Sequence, residues 1–102
     1  MSDIIEILEA ADVGSREIDT RIDLIINGQR FDDDFVPPYT TSIDAALTLV
    51  PDGGDWQMPF HEYNNKLFRC EIYGKGYVYV YGIAPTPALA ICISAMKAIE
   101  ND

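Results

Sequence analysis

The segment from Ala88 to Met96 is apolar at almost every position, and this feature constrains the fold more than any other. Thr86 is a suitable helix cap, and Pro87 suits the first position of a helix, where its missing N–H is not needed. A helix that is apolar on nearly all sides is stable only when it is well buried. We therefore predict a buried helix that begins after Thr86.

Two segments that alternate in polarity precede this helix and predict a β-hairpin. Residues 67–73 and 77–83 are the expected strands, and Gly74-Lys75-Gly76 is the expected three-residue turn. An earlier segment, residues 55–63, also has strand character. Pro59 lies within it and has no N–H to donate, so we expect this strand at the edge of an antiparallel sheet.

The three-residue turn fixes the register of the hairpin. It pairs Tyr73 with Tyr77, Glu71 with Tyr79, and Arg69 with Tyr81. One face of the hairpin is then wholly apolar, with Phe68, Cys70, Ile72, Val78 and Val80. The other face is aromatic and polar, and a shift of one residue would mix the two sets.

Helical patterns near the N-terminus predict three further helices. The first covers residues 3–11, the second runs from a Ser15 cap to Gly28, and the third follows a Thr41 cap. The last helix covers the apolar face of the hairpin, and the N-terminal helices cover its other face. The whole chain, residues 1–102, is thus predicted as a single α+β domain, a three-layer α/β/α sandwich with about three antiparallel strands and about four helices.

The net charge of −10 argues against nucleic-acid binding through a basic face and against adsorption to anionic membranes. We expect a cytoplasmic protein, because the chain has no secretory signal pattern and no apolar run long enough to span a bilayer. Cys70 and Cys92 lie among apolar neighbours without metal-ligand spacing, so we expect two reduced, buried thiols.

No residue pattern in the chain indicates catalysis or a cofactor. His61 is the only histidine, which makes a zinc site hard to assemble, and its neighbour Glu62 points to the opposite face of the strand. Asp32-Asp33-Asp34 lacks the alternating ligand spacing of a calcium loop. The chain also contains no nucleophile elbow, P-loop or dinucleotide fingerprint. We expect neither a metal nor a catalytic site, and we do not expect an enzyme.

Three stretches taken together are similar to a known family: Ser15–Asp19 with Arg21-Ile22, Pro38–Pro51, and Thr86–Ala95. They resemble the phage ABA sandwich domain proteins, small proteins of tailed phages and prophages. The similarity runs from about Ser15 to Ile99, and the block Tyr-Thr-Thr-Ser-Ile-Asp-Ala-Ala-Leu is its most specific part. The resemblance implies an α/β/α sandwich and a protein encoded by a phage or prophage. The family has no established catalytic motif, so the resemblance implies no catalytic residue in this chain.

The aromatic face of the hairpin is the candidate site. The rings either pack beneath a helix or form a recognition surface, on which tyrosines stack against a planar base and arginine meets an anionic group. In the second case we expect Tyr39 and Trp56 to close over the same region. The candidate ligand-binding residues are Arg69, Tyr73, Tyr77, Tyr79, Tyr81, Tyr39 and Trp56.

Three functions are compatible with these features. The first is a phage binding protein that sequesters a small, anionic, nucleotide-derived signal as a counter-defence, with a homo-oligomer enlarging its pocket. The second is an acidic decoy for a partner protein, which requires the acidic residues to converge on one face. The third is a minor phage structural protein that assembles with copies of itself.

Overall fold

The computed structural model of the protein describes residues 2–28, 36–50, 55–61, 67–73 and 79–100. The prediction of an α+β fold with four helices and a three-stranded antiparallel sheet is confirmed for these residues. The elements in chain order are α1 (Ser2–Ala10), α2 (Arg16–Asn27), α3 (Ile43–Leu47), β1 (Asp55–His61), β2 (Phe68–Tyr73), β3 (Tyr79–Ala84) and α4 (Pro87–Glu100).

The sheet has the strand order β1-β2-β3, so the strand that contains Pro59 lies at an edge, as predicted. Its pairing with β2 is irregular between Gln57 and Phe60. Pro59 lies within this interval and cannot donate a hydrogen bond to the ladder, which accounts for an irregularity at this point. β3 forms the opposite edge of the sheet among the described residues.

The predicted hairpin register is wrong by two residues. Tyr73 pairs with Tyr79, and Glu71 pairs with Tyr81. The cause is the longer connection between the strands, since β2 ends at Tyr73 and β3 begins only at Tyr79. Side chains alternate with a period of two, so this shift leaves each described side chain of the two strands on its predicted face. The predicted turn at Gly74-Lys75-Gly76, Tyr77 and Val78 lie outside the described residues.

α4 is the central element of the fold. Every residue from Ala88 to Met96 is buried, as the sequence predicted. One side of α4 packs on β2 and β3, and the other side packs against α1 and α3. Gly82 of β3 allows close approach to α4, because a Cβ there would lie 2.7 Å from the backbone oxygen of Ala90 and from the Ile93 side chain.

The order of the layers therefore differs from the predicted α/β/α order. α1 and α3 contact α4, α2 packs against α1, and the second face of the sheet stays open among the described residues. Two physical reasons account for this. α4 is apolar on its outer side as well, so it needs the cover that α1 and α3 provide. The second face of the sheet carries polar groups that hydrogen-bond to one another and do not need burial.

The ends of the helices follow their capping residues. Ser15 accepts a hydrogen bond from Ile18 N–H, Gly28 ends α2 with a positive φ of 75°, and Thr86 accepts from Leu89 N–H. At α3 the predicted cap is displaced by one residue. Ser42, rather than Thr41, accepts a hydrogen bond from Ala45 N–H.

Candidate functional site

Five neighbouring side chains of β2 and β3 lie together on the open face of the sheet, beside Ile83, and we call this group the tyrosine face. It comprises Arg69, Glu71, Tyr73, Tyr79 and Tyr81. Alternation along the two strands places these residues on one side, while Cys70, Ile72 and Val80 lie buried on the other. The structure thus brings together four of the predicted site residues, and Tyr77 lies outside the described residues.

The carboxylate of Glu71 organises the tyrosine face. Its Oε2 accepts hydrogen bonds from Arg69 Nε at 2.9 Å and from the Tyr79 hydroxyl at 3.2 Å. Its Oε1 accepts from the Tyr73 hydroxyl at 3.1 Å. Partial desolvation favours the neutral carboxyl, but these hydrogen bonds outweigh it and hold the pKa of Glu71 below its ordinary value. The carboxylate is therefore ionised at neutral pH and fixes the positions of two tyrosine rings.

The three tyrosine rings form a continuous row. The ring centroids of Tyr73 and Tyr79 are 5.1 Å apart, and those of Tyr79 and Tyr81 are 6.1 Å apart, with tilts of 36° and 34°. These spacings lie in the range of favourable aromatic pairs. The three residues remain 43%, 44% and 42% exposed. The row is therefore held in place by its hydroxyl groups while much of its ring surface faces solvent.

Arg69 is already engaged by the protein. Besides its bond to Glu71, its Nη2 donates to the Tyr79 hydroxyl at 2.9 Å, and its guanidinium carbon lies 4.3 Å from the centroid of the Tyr81 ring. The bond with Tyr79 is the main reason that the pKa of Arg69 lies above its usual value. Glu71 compensates the charge of Arg69, so any anionic group would have to compete with this carboxylate.

Sequence reasoning missed Lys97, which reaches the tyrosine face from α4. Its Nζ donates to the backbone oxygen of Tyr81 at 3.1 Å and lies 5.4 Å from the centroid of the Tyr81 ring. It also pairs with Glu9 of α1 at 3.4 Å. One signal was present in the sequence, since Lys97 is the only charged residue from Pro87 to Ile99.

Tyr39 and Trp56 do not belong to the tyrosine face. Tyr39 is a core residue that is only 3% exposed, and its backbone oxygen accepts a hydrogen bond from the Cys92 thiol at 3.1 Å. Trp56 of β1 pairs with Ile72 of β2 and packs against the core on the opposite side of the sheet. Sequence proximity to the irregular segments suggested otherwise, but the burial requirement of both aromatic rings directs them inward.

Two cavities formed by described residues lie away from the tyrosine face. One, of about 330 Å³, lies where Gly14, Thr40 and Ile43 meet the start of α4 at Thr86 and Pro87. The other, of about 280 Å³, lies between α1 and α2 and is lined by Ile4, Ile7, Arg21, Leu24, Ile25 and Asp3. Among the described residues the tyrosine face is partly exposed surface, since its three tyrosines are 42% to 44% exposed.

Among the described residues, no three His, Cys, Asp or Glu side chains lie close enough together to hold a metal ion. No helix in the described ranges is long and apolar enough to cross a bilayer.

Comparisons of the chain with protein-family models, curated protein sequences and solved structures gave no match. The geometry of the tyrosine face is therefore the basis for assigning a function to this protein.

Proposed function

We propose that this protein is a non-enzymatic binding protein whose tyrosine face receives the planar ring of a small nucleotide-derived molecule and sequesters it. One observation carries the proposal. Three tyrosine rings lie in a row, each exposed by 42% to 44%, and hydrogen bonds to Glu71 hold two of them in place. A preorganised row of rings offers stacking surface at little entropic cost, and every nucleobase has a π-face to stack on it.

The biological setting is part of the same proposal. The similarity to phage ABA sandwich proteins supports a phage protein that acts in the host cytoplasm, where it would lower the concentration of a defence signal. Sequestration requires binding alone, which agrees with a site built from stacking groups. A homo-oligomer that pairs two tyrosine faces would enclose a ligand that one open face leaves exposed.

The acidic-decoy function has less support. It requires the acidic side chains to converge, but those described as exposed are distributed over several elements. They are Asp3, Glu6 and Glu9 on α1, Asp12 between α1 and α2, Glu17 on α2, Asp44 on α3, Asp55 on β1 and Glu100 on α4. A general negative charge of this kind is sufficiently explained by solubility.

Isothermal titration calorimetry with a panel of nucleosides, nucleotides, cyclic nucleotides and ADP-ribose tests the proposal. For a ligand that binds, Tyr79→Ala should weaken the affinity by about 1–3 kcal/mol, because a stacking ring is lost. Tyr79→Phe is the matched control. It keeps the ring and loses only the hydroxyl bonds to Glu71 and Arg69, so it should weaken binding less.

Circular dichroism and thermal melting must show that both variants remain folded. Absence of binding by the whole panel would contradict the proposed function. Equal affinity of wild type and Tyr79→Ala would place the binding site elsewhere on the molecule.

A further inference from the structure

Lys97 reaches the tyrosine face by passing around the edge of the sheet. It belongs to α4, which packs on the apolar face, but its Nζ lies 5.4 Å from the ring of Tyr81 on the opposite face. A side chain cannot pass through a hydrogen-bonded sheet. β3 is the outer strand on this side, so the lysine stem crosses the open edge of β3. The ammonium group therefore lies at the end of the row of tyrosine rings.

Two cations lie at the tyrosine face, Arg69 within it and Lys97 at its end, and they differ in the strength of their contacts with the protein. Arg69 donates through two different nitrogens to Glu71 and Tyr79, both at 2.9 Å, and the Glu71 side chain is only 14% exposed. Lys97, with a side chain exposed to a similar extent, donates to the backbone oxygen of Tyr81 at 3.1 Å and pairs at 3.4 Å with Glu9, whose side chain is 48% exposed. The Lys97–Glu9 pair is longer and its carboxylate is more exposed, so it contributes less free energy than the short, charge-assisted hydrogen bonds of the partly exposed Arg69–Glu71 pair.

We propose that Lys97, and not Arg69, contacts the anionic group of the ligand, and that this anionic group displaces the Glu9 carboxylate from Lys97. This inference rests on the proposed function and specifies the ligand class: a planar ring joined to a phosphate or carboxylate. The ring stacks on the tyrosine row, and the anionic group lies beyond Tyr81, next to the open edge of β3. Arg69 remains bonded to Glu71 and keeps the rings in position.

The experiment compares adenosine with adenosine 5′-monophosphate, two probes that share a ring and differ in one anionic group. Wild type should bind the monophosphate about tenfold more tightly than adenosine, as expected for one charge-assisted hydrogen bond. Lys97→Met should reduce the ratio of the two affinities to near one. Because the contact is near the surface, the difference should also shrink as salt is raised.

Glu9→Gln is the second variant and changes binding in the opposite direction. It removes the competing carboxylate while retaining Lys97, so it should tighten monophosphate binding by roughly two- to fivefold. It should not change adenosine binding. In the double variant Glu9→Gln/Lys97→Met this gain should disappear, because the gain acts only through the lysine.

The outcomes separate this inference from the proposed function. If adenosine binds through Tyr79 but Lys97→Met retains the tenfold preference, the inference is overturned and the proposed function stands. If neither probe nor any other ring-containing ligand binds the wild type, the proposed function is contradicted, and the inference that rests on it is contradicted as well. Mass measurement in solution should accompany each titration, because Lys97→Met uncovers the edge of β3 and a change in oligomeric state would itself oppose the inference.

Discussion

At the scale of single residues, the buried carboxylate of Asp19 joins two segments that are distant in the sequence. Asp19 is 3% exposed, and its Oδ1 accepts hydrogen bonds from the N–H and the hydroxyl of Thr40, at 2.8 and 2.7 Å. Thr40 Oγ1 in turn accepts from Ser15 N–H at 2.9 Å. The start of α2 and the segment before α3 are therefore held together by one polar cluster. A buried charge of this kind is stable only while its partners are present.

We expect Thr40→Val to lower the free energy of unfolding by about 1–3 kcal/mol, because it removes the hydroxyl partner of a buried carboxylate and keeps the side-chain shape. Urea denaturation followed by circular dichroism measures the change. Thr41→Val is the matched control. Its side chain is exposed in the same turn, so its effect should stay within about 0.5 kcal/mol. Equal effects of the two substitutions would show that the Asp19 cluster does not stabilise the fold.

At the scale of secondary structure elements, the sequence predicted correctly which residues share a face of the hairpin, but not which residues pair across its two strands. Arg69, Tyr73, Tyr79 and Tyr81 share one face as expected, because a register shift of two residues preserves the alternation of a strand. The register itself depends on where the connection ends, and no residue pattern fixed that point. Lys97 shows a similar limit, since its reach around β3 depends on the packing of α4 and not on any neighbour in the chain.

The contact between α4 and β3 also depends on an element-scale feature, the missing side chain of Gly82. A Cβ at this position would lie 2.7 Å from the backbone oxygen of Ala90, and a backbone atom cannot move aside without displacing the helix. We expect Gly82→Ala to lower the free energy of unfolding by about 1–3 kcal/mol, as overpacked cores do.

Urea denaturation measures the effect of Gly82→Ala, with Ile83→Val as the control on the adjacent, half-buried position. The control should cost no more than about 1 kcal/mol. A Gly82→Ala protein with wild-type stability would mean that α4 does not pack against β3 as closely as described.

At the scale of the whole molecule, the core extends over both sides of α4, towards the sheet and towards the N-terminal helices, and both cysteines lie within it. Cys70 of β2 and Cys92 of α4 are free and fully buried, as predicted. Burial raises the pKa of the Cys70 thiol from 9.0 to about 11 and raises the pKa of Cys92 further. The unfolded chain therefore loses its thiol protons at a lower pH than the folded protein does.

This difference predicts a loss of stability in alkaline solution. Between about pH 9 and 11 the folded protein binds more protons than the unfolded chain, so the free energy of unfolding should fall as pH rises through this window. Urea denaturation from pH 7.5 upward, in the presence of a reducing agent, measures the slope. Tyrosines titrate in the same range, so the Cys70→Ala/Cys92→Ala variant is needed for comparison. If wild type and variant show the same slope, the thiols are not the source.

The sequence by itself determined the local features of this protein. Ser15, Gly28 and Thr86 set helix ends, Pro59 marked an edge strand, and the apolar run of α4 required its burial. Each of these depends on hydrogen bonds or periodicities within a few residues. Only the tertiary structure decided that α1 and α3 cover α4 instead of the sheet, and that Lys97 and the Arg69–Glu71 pair share one surface. These arrangements depend on the burial summed over elements that are distant in the chain, and local patterns do not contain that information.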